Sequence, residues 1–200
     1  MVVRTRAFGR PARACLVLVL AVAAVAPGLP AAAQSVPADL ETVILLRALS
    51  YDRNLKRRSG TAVKLGLVYA AGEQASEDCR ARISAALRGL TTQTVQDLPI
   101  TVTDIALRST AQLESEVATK GLNLLYVCDG VGDRFDAITT LSRAKGVLTM
   151  CGSEALVRQG LALGVAPKGD TAKIVVNLRA ARDEGADFDS RLLMMAEVVK

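Results

Sequence analysis

The chain has 200 residues, half of them hydrophobic, with 25 lysines and arginines against 20 aspartates and glutamates. It contains no histidine, which excludes a Ser-His-Asp triad, a Cys-His nucleophile pair and any zinc site with an imidazole ligand.

Residues 1–33 have the composition of a targeting segment. Four arginines and no acid accompany an apolar stretch over 15–26, and three alanines follow at 31–33. A basic region, about a dozen apolar residues and a small-residue end are the parts of a secretory signal peptide. The apolar stretch is shorter than the roughly 20 residues that span a bilayer. We therefore predict a signal peptide over 1–33 and a periplasmic mature chain, 34–200, that does not span the membrane.

The positive charge belongs largely to this targeting segment. Four of the 25 basic residues lie in it, which leaves 21 against 20 acidic residues in the mature chain. Binding of nucleic acid needs a clustered basic face, so we predict no nucleic-acid partner. The mature chain is long enough for one domain with a proper core.

The mature chain alternates helical and strand patterns. The first helix is predicted over 39–58, with Gly60 as its terminator. The elements after it are predicted in the following order: strand 63–69, helix 74–90, strand 99–107, helix 110–119, strand 122–128, helix 133–145 and strand 147–151. Strands that alternate with helices of this length are typical of right-handed βαβ units in a parallel sheet.

The pattern changes after residue 160. Apolar runs at 161–166 and 172–177 flank a Pro-Lys-Gly-Asp turn, which predicts a β-hairpin at one edge of the sheet. Two helices are predicted near 178–184 and 189–199. The sequence therefore predicts a single α/β domain of three layers, with a mostly parallel central sheet flanked by helices and a C-terminal β-hairpin edge.

Three cysteines remain in the mature chain, Cys79, Cys128 and Cys151, without the CxxC spacing of a metal or redox site. Disulfides persist in an oxidising periplasm. Cys128 and Cys151 each end a predicted strand, so we predict a bond between them if these strands are neighbours. Cys79 could instead reach Cys128, or all three could be buried thiols. A catalytic thiol is disfavoured, because no imidazole can activate it.

Glycines and polar residues follow three of the predicted strands. In open α/β sheets, ligands bind beyond the carboxyl ends of the strands, where glycines let backbone amides approach an anion. The candidate ligand-edge residues are Gly72, Asp129, Gly130, Gly132 and Ser153. Two acids in the loop at 129–133 argue against phosphate. The alternative is a set of plain turns, with Asp133 and Ser153 as helix N-caps.

We predict neither a metal site nor a cofactor. The acids at 183–189, Glu184 among them, fit a solvated helix junction better than a metal site. No pair of the remaining acids, lysines, tyrosines or thiols stands out by its spacing as a catalytic pair.

Three stretches carry a family resemblance: ILLRALSYDRNL at 44–55 with the strand after it, VRQGLALGV at 157–165, and IVVNLRAAR at 174–182 with SRLLMMAEVV at 190–199. The sequence resembles the YfiR/HmsC family of exported bacterial proteins over essentially the whole mature chain. The resemblance implies a periplasmic α/β domain that binds the periplasmic sensor region of a membrane-bound diguanylate cyclase and restrains that enzyme. It further implies that release of the restraint raises cyclic di-GMP and promotes biofilm growth.

The sequence departs from the family in two features. Members often have an aromatic-rich first helix that ends in Trp-Pro, whereas this chain has no tryptophan. Members with two disulfides need more than three mature cysteines. We expect a non-enzymatic exported regulator, for which a homodimer is possible. The alternative is a periplasmic small-molecule-binding protein for sensing or uptake, although solute receptors usually close two lobes and this chain supplies about one.

Overall fold

The structure, a computed structural model, describes residues 35–90 and 93–199. The predicted signal peptide lies outside these residues, so it and the domain boundary behind it remain predictions. Within the two described stretches, no helix combines the length and the apolar character needed to cross a membrane.

Helices and strands alternate through most of the described chain. The helices are α1 Ala38–Leu49, α2 Leu55–Ser59, α3 Gln74–Gly89, α4 Thr110–Lys120, α5 Phe135–Lys145, α6 Glu154–Gln159, α7 Leu178–Asp183 and α8 Ser190–Met195. The strands are β1 Val63–Tyr69, β2 Thr94–Val95, β3 Leu98–Ala106, β4 Leu124–Val127, β5 Leu148–Cys151, β6 Leu163–Lys168, β7 Thr171–Asn177 and β8 Glu197–Val199.

The strands form one sheet in the order β2-β3-β1-β4-β5-β6-β7-β8. Strands β3, β1, β4, β5 and β6 are parallel to their neighbours in this series, and β7 is antiparallel to β6. The chain adds β3 on one side of β1 and then β4 on the other, so the winding reverses between β1 and β4. This doubly wound arrangement confirms the predicted mostly parallel α/β fold. The predicted hairpin is β6–β7, and it lies one strand inside the edge, because β8 pairs with β7.

Helices cover both faces of the sheet. Helix α3 packs on one face through Cys79, Ile83 and Leu87, and α4 packs on the other through Leu113 and Val117. Every residue of β4 and β5 is buried, as expected for strands covered on both faces. The two apolar clusters on either side of the sheet therefore make the predicted three layers.

The first predicted helix is wrong at its C-terminal end. Helix α1 ends at Leu49, and a turn around Asp52 separates it from α2. The Asp52 side chain is fully buried and accepts hydrogen bonds from the backbone N–H groups of Asn54 and Asp187. A continuous helix through this residue would lose those two hydrogen bonds to a buried carboxylate, which is costly.

The last predicted helix is also too long. Helix α8 ends at Met195, and the following residues form β8, parallel to β7. Glu197 on β8 accepts hydrogen bonds from Lys173 on β7, at 2.7 Å, and from Arg158 on α6. Pairing with the open edge of β7 and these two cations favour a strand where the apolar spacing predicted a helix.

Candidate functional site

The loops after β1 and β4 meet at the carboxyl edge of the sheet, where the winding reverses. A Cβ atom built on Gly130 would lie 3.4 Å from the Cβ of Ser76 and 3.9 Å from that of Glu73. Gly130 has a φ of +82°, which few residues other than glycine adopt. The structure therefore brings the loop that contains Gly130 against the start of α3, at the edge where doubly wound sheets bind their ligands.

The backbone amides of the loop after β1 already have partners within the chain. Ala70 donates its N–H to the Ser76 hydroxyl at 2.9 Å, and Gly72 donates its N–H to the Glu77 carboxylate at 2.8 Å. These two amides of the loop are therefore not available to an anion. The geometry thus favours a turn at Gly72 whose polar groups bond to one another. The ligand-edge residues remain predictions.

The N-cap hydrogen bonds predicted for Asp133 and Ser153 are not formed. Asp133 lies within a 3-10 turn, Gly132–Arg134, and α5 begins after this turn without a side-chain cap. Ser153 occupies the position before α6, but its hydroxyl makes no capping hydrogen bond.

A buried acid from α1 reaches the same edge of the sheet. Glu41 is 4% exposed, and the hydroxyl of Tyr126 on β4 donates a hydrogen bond to its Oε1. Burial raises the pKa of Glu41, and burial together with the neighbouring Glu41 carboxyl raises the pKa of Tyr126. We missed Glu41 because acids are common in the first turn of a helix. Its spacing of four residues from the apolar Leu45 was the signal that it faces the core.

Gly152 is the residue that lets this carboxyl group approach the strand ends. A Cβ atom at Gly152 would lie 2.6 Å from Oε1 and 2.8 Å from Oε2 of Glu41, closer than non-bonded atoms approach. The glycine after β5 is therefore explained by a close packing contact with α1. Ser153 next to it is half-buried and belongs to the same edge.

Two of the three cysteines meet beside this carboxyl group. The side chains of Cys79 and Cys128 lie close enough to interact, and this interaction lowers the pKa of Cys79 and raises that of Cys128. The backbone N–H of Asp129 also bonds to the Cys79 sulfur and lowers its pKa further. Cys79 is thus the thiol better prepared to ionise.

Cys151 lies in the other apolar cluster. Its thiol bonds to the backbone oxygen of Ser153 at 3.2 Å, and burial raises its pKa. Because Tyr126 and Met150 are partners in the β4–β5 ladder, Cys128 and Cys151 point to opposite faces of the sheet. All three cysteines are free thiols in the structure. The Cys128–Cys151 bond remains a prediction, while the contact favours pairing of Cys79 with Cys128.

One cation acts on these acidic groups. Burial raises the pKa values of Glu41 and Asp129, and the charge of Arg82 on α3 opposes this rise without reversing it. The same charge adds a small contribution to the lowered pKa of Cys79. The edge therefore combines two carboxyl groups, two thiols, a phenol and one guanidinium. Within the described residues, no group of three or more thiol and carboxylate ligands is arranged to hold a metal ion. Such a set can exchange protons or form a disulfide.

Glu184 corrects another prediction, because it is fully buried and not part of a solvated junction. Its Oε2 accepts the Thr149 N–H at 2.7 Å, and its Oε1 lies 2.7 Å from the Ser142 hydroxyl. Burial raises its pKa to about 7. The acid joins the end of α7 to β5 and α5.

The fold and the composition of this edge define an α/β domain of the doubly wound class with a buried acid and a thiol pair at its carboxyl edge. Comparison with protein families assigns this domain: the chain belongs to the DUF4154, YfiR/HmsC-like family, whose model matches residues 40–197. The resemblance noted in the sequence is confirmed. Membership of this family fits a periplasmic regulatory role.

Solved structures from three bacteria are similar to this chain. The ABC domain in complex with L-Trp from Streptococcus pneumoniae has a TM-score of 0.54 and 15% identity, covering 82% of this chain and 62% of its own. A conserved domain protein from Vibrio cholerae O1 biovar El Tor has a TM-score of 0.57 and 11% identity. The match covers 82% of this chain and 60% of that protein. The third is the ligand-free, open structure of CD0873, a substrate binding protein with adhesive properties from Clostridium difficile. It has a TM-score of 0.51 and 14% identity, and the match covers 74% of this chain and 57% of that protein.

The chain spans about three fifths of the length of these structures. At these identities the likeness shows the fold alone. A search among curated proteins found no match.

Proposed function

We propose that this protein is an exported, non-enzymatic regulator that binds the periplasmic sensor region of a membrane-bound diguanylate cyclase and restrains the enzyme. The observation that carries the proposal is the family match over residues 40–197, which covers nearly all of the described chain. Restraint by contact is a population shift, in which the bound regulator favours the inactive arrangement of the sensor region.

Exposed apolar side chains support a role in protein contact. Met194 and Met195 on α8 are 78% and 59% exposed, and Val198 on β8 is also exposed. Leu40 and Val43 form a second exposed apolar pair on α1. Clustered apolar side chains on a surface are typical of sites that bind other proteins.

The thiols support a redox input to this regulator. A disulfide, either between Cys79 and Cys128 or between Cys128 and Cys151, would lock the carboxyl edge against which α1 packs through Glu41. Reduction would loosen this edge and change the affinity for the cyclase.

The test is affinity capture of detergent-solubilised membrane proteins of the source bacterium, combined with measurement of cyclic di-GMP after deletion of the gene. We expect a cyclase with a periplasmic domain among the captured proteins, and a higher cyclic di-GMP level in the deletion strain. The substitution Met194→Lys should weaken capture, and Asp170→Lys on the exposed β6–β7 turn serves as its control. An unchanged cyclic di-GMP level and no captured cyclase would contradict the proposal.

The second candidate function is binding of a small molecule for sensing or uptake. It is favoured by the fold, since one similar structure is a complex with L-Trp and another is a substrate binding protein. Thermal-shift measurements with amino acids separate the two candidates. A ligand that raises the melting temperature at stoichiometric concentration, with no cyclase captured, would favour this second function.

A further inference from the structure

Strand β3 has an outer edge that is open along most of its length. It pairs with β1 over seven residues, Ile100 to Ala106, whereas β2 covers only Leu98 and Pro99. Among the described residues, no strand pairs with the outer side of β3 beyond Pro99.

Strand β2 is held in place and does not extend along this edge. The β2–β3 turn has positive φ angles at Gln96 and Asp97, which is strained for residues other than glycine. The Gln96 side chain donates hydrogen bonds to the backbone oxygens of Ser50 and Asp52, at 3.1 and 2.8 Å. These bonds fix the turn beside the end of α1 and leave the rest of β3 uncovered.

The direction of the free backbone groups follows from the ladder. Leu107 donates its N–H to the Tyr69 oxygen, at 2.8 Å, and in a parallel pair alternate residues of one strand bond to the neighbour. The odd-numbered residues of β3 therefore direct their backbone groups to β1. The even-numbered residues direct theirs outward, and these are Ile100, Val102, Asp104 and Ala106.

A cavity of about 450 Å³ lies beside this edge. Ile100 and Val102 line it from β3, and Leu87 and Leu90 line it from the end of α3. Thr101 also lines the cavity although its side chain is on the other face of the sheet, so the cavity reaches the strand backbone itself. An apolar side chain placed next to the edge can enter it.

We propose that the open edge of β3 binds an extended segment of the cyclase's periplasmic domain, which adds to the sheet as a further strand; this inference rests on the proposed function. Main-chain hydrogen bonds to the free backbone groups supply affinity, and the cavity takes an apolar side chain, as in other cases of strand addition. The segment carries apolar residues opposite Ile100 and Val102. It carries a hydroxyl or cationic residue opposite Asp104, whose carboxylate is already 3.2 Å from Arg80.

A second copy of the chain fits this edge poorly. Antiparallel self-pairing must place outward-facing residues opposite one another, and the two-fold axis falls at Val102, Thr103 or Asp104 if at least three of the four outward residues are to pair. Asp104 would then lie opposite Ile100, Val102 or Asp104 of the other copy. Each register sets a carboxylate against an aliphatic side chain or against another carboxylate, which a partner of different sequence avoids.

Residue-resolved hydrogen exchange tests the proposal on the wild-type protein, free and bound to the detergent-solubilised cyclase. We expect the amides of Val102, Asp104 and Ala106 to exchange at least tenfold more slowly in the complex, while those of Thr101 and Thr103 stay unchanged. A complex in which these three amides keep their rates overturns strand addition and leaves the proposed function intact. Failure of the wild-type protein to bind the cyclase overturns both.

The substitution Val102→Pro removes an outward N–H group without removing a bond to β1. We expect it to lower the affinity for the cyclase at least tenfold, whereas Val102→Thr, which keeps the N–H, should stay within about threefold. Equal affinities of Val102→Pro and the wild-type protein overturn the proposal, as does an equal loss in both variants. If Val102→Pro does not fold, judged by circular dichroism, the exchange measurement decides.

Discussion

The hydroxyl of Tyr126 donates a hydrogen bond to Oε1 of Glu41, and the same carboxyl group packs on Gly152. This contact joins the first helix to the carboxyl ends of β4 and β5. The thiols of Cys79 and Cys128 lie in the same apolar cluster as Tyr126. A structural change at this edge of the sheet would therefore shift α1, the helix that carries the exposed apolar side chains.

The substitution Gly152→Ala should destabilise the protein. The new methyl group would lie 2.6 Å from the Glu41 carboxylate, and overpacking of this kind costs about 1–3 kcal/mol in the free energy of unfolding. Urea denaturation measures the loss. In a Glu41→Ala background the same substitution should cost less, because the clashing group is gone. Equal costs in the two backgrounds would contradict the contact.

Glu184 should make the stability depend on pH. Its pKa is raised from 4.5 to about 7, so the folded protein binds this proton more tightly than the unfolded chain does. The free energy of unfolding therefore falls as the pH rises from about 4.5 to about 7, by on the order of 3 kcal/mol, and then levels off. Urea denaturation at a series of pH values measures this slope.

The hydrogen bonds around Glu184 accommodate its neutral form. The Ser142 hydroxyl has one hydrogen atom and two acceptors nearby, Glu184 and the Thr139 oxygen at 3.0 Å. A protonated Glu184 donates to Ser142, which then donates to Thr139. The variant Glu184→Gln copies the neutral form, so its stability should lack this part of the slope. A slope identical to that of the wild-type protein would show that Glu184 does not titrate in this range.

Oxidation of the purified protein should join Cys79 to Cys128. These thiols are in contact on one face of the sheet, whereas Cys151 lies on the other. Non-reducing peptide mapping by mass spectrometry identifies the bond, and Cys151→Ser is the control that should leave it unchanged. Detection of a Cys128–Cys151 bond would bear out the pairing predicted from the sequence and require the end of β4 or β5 to turn over.

The substitution Asp52→Ala should be strongly destabilising. It removes a buried carboxylate that lies 2.6 Å from Arg58 and leaves that guanidinium without its partner, a loss of about 3–5 kcal/mol. The control is Asp187→Ala, which breaks a solvent-exposed pair with Arg53 and should change the unfolding midpoint little. Similar midpoints for both variants would contradict the assigned role of Asp52.

The sheet could be predicted from the sequence because its strands carry local signals. The apolar runs of β1, β4 and β5 are nearly continuous, and the helices between them have regular apolar spacing. These patterns depend on neighbouring residues, which the sequence shows directly. The mostly parallel sheet and the three layers follow from them.

The missed features depend on partners far along the chain. The turn at Asp52 is stabilised by the backbone of Asp187, and the burial of Glu184 depends on Thr149 and Ser142. Glu41 is buried because Tyr126 and Gly152 receive it. No local pattern distinguishes such acids from solvated ones. The candidate ligand edge therefore remains a prediction, and Glu41, the buried acid at that edge, was not among its predicted residues.

The bonds from residues 184–189 to Asp52, Ser142 and Thr149 also bear on the order of events during biosynthesis. A ribosome must have synthesised more than nine tenths of the polypeptide before Glu184 and Asp187 exist to complete these contacts. A nascent chain halted before that point would hold a carboxylate at Asp52 and a hydroxyl at Thr149 without their final partners. Native closure of the domain is thus a late step of its folding, because it depends on residues near the end of the described chain.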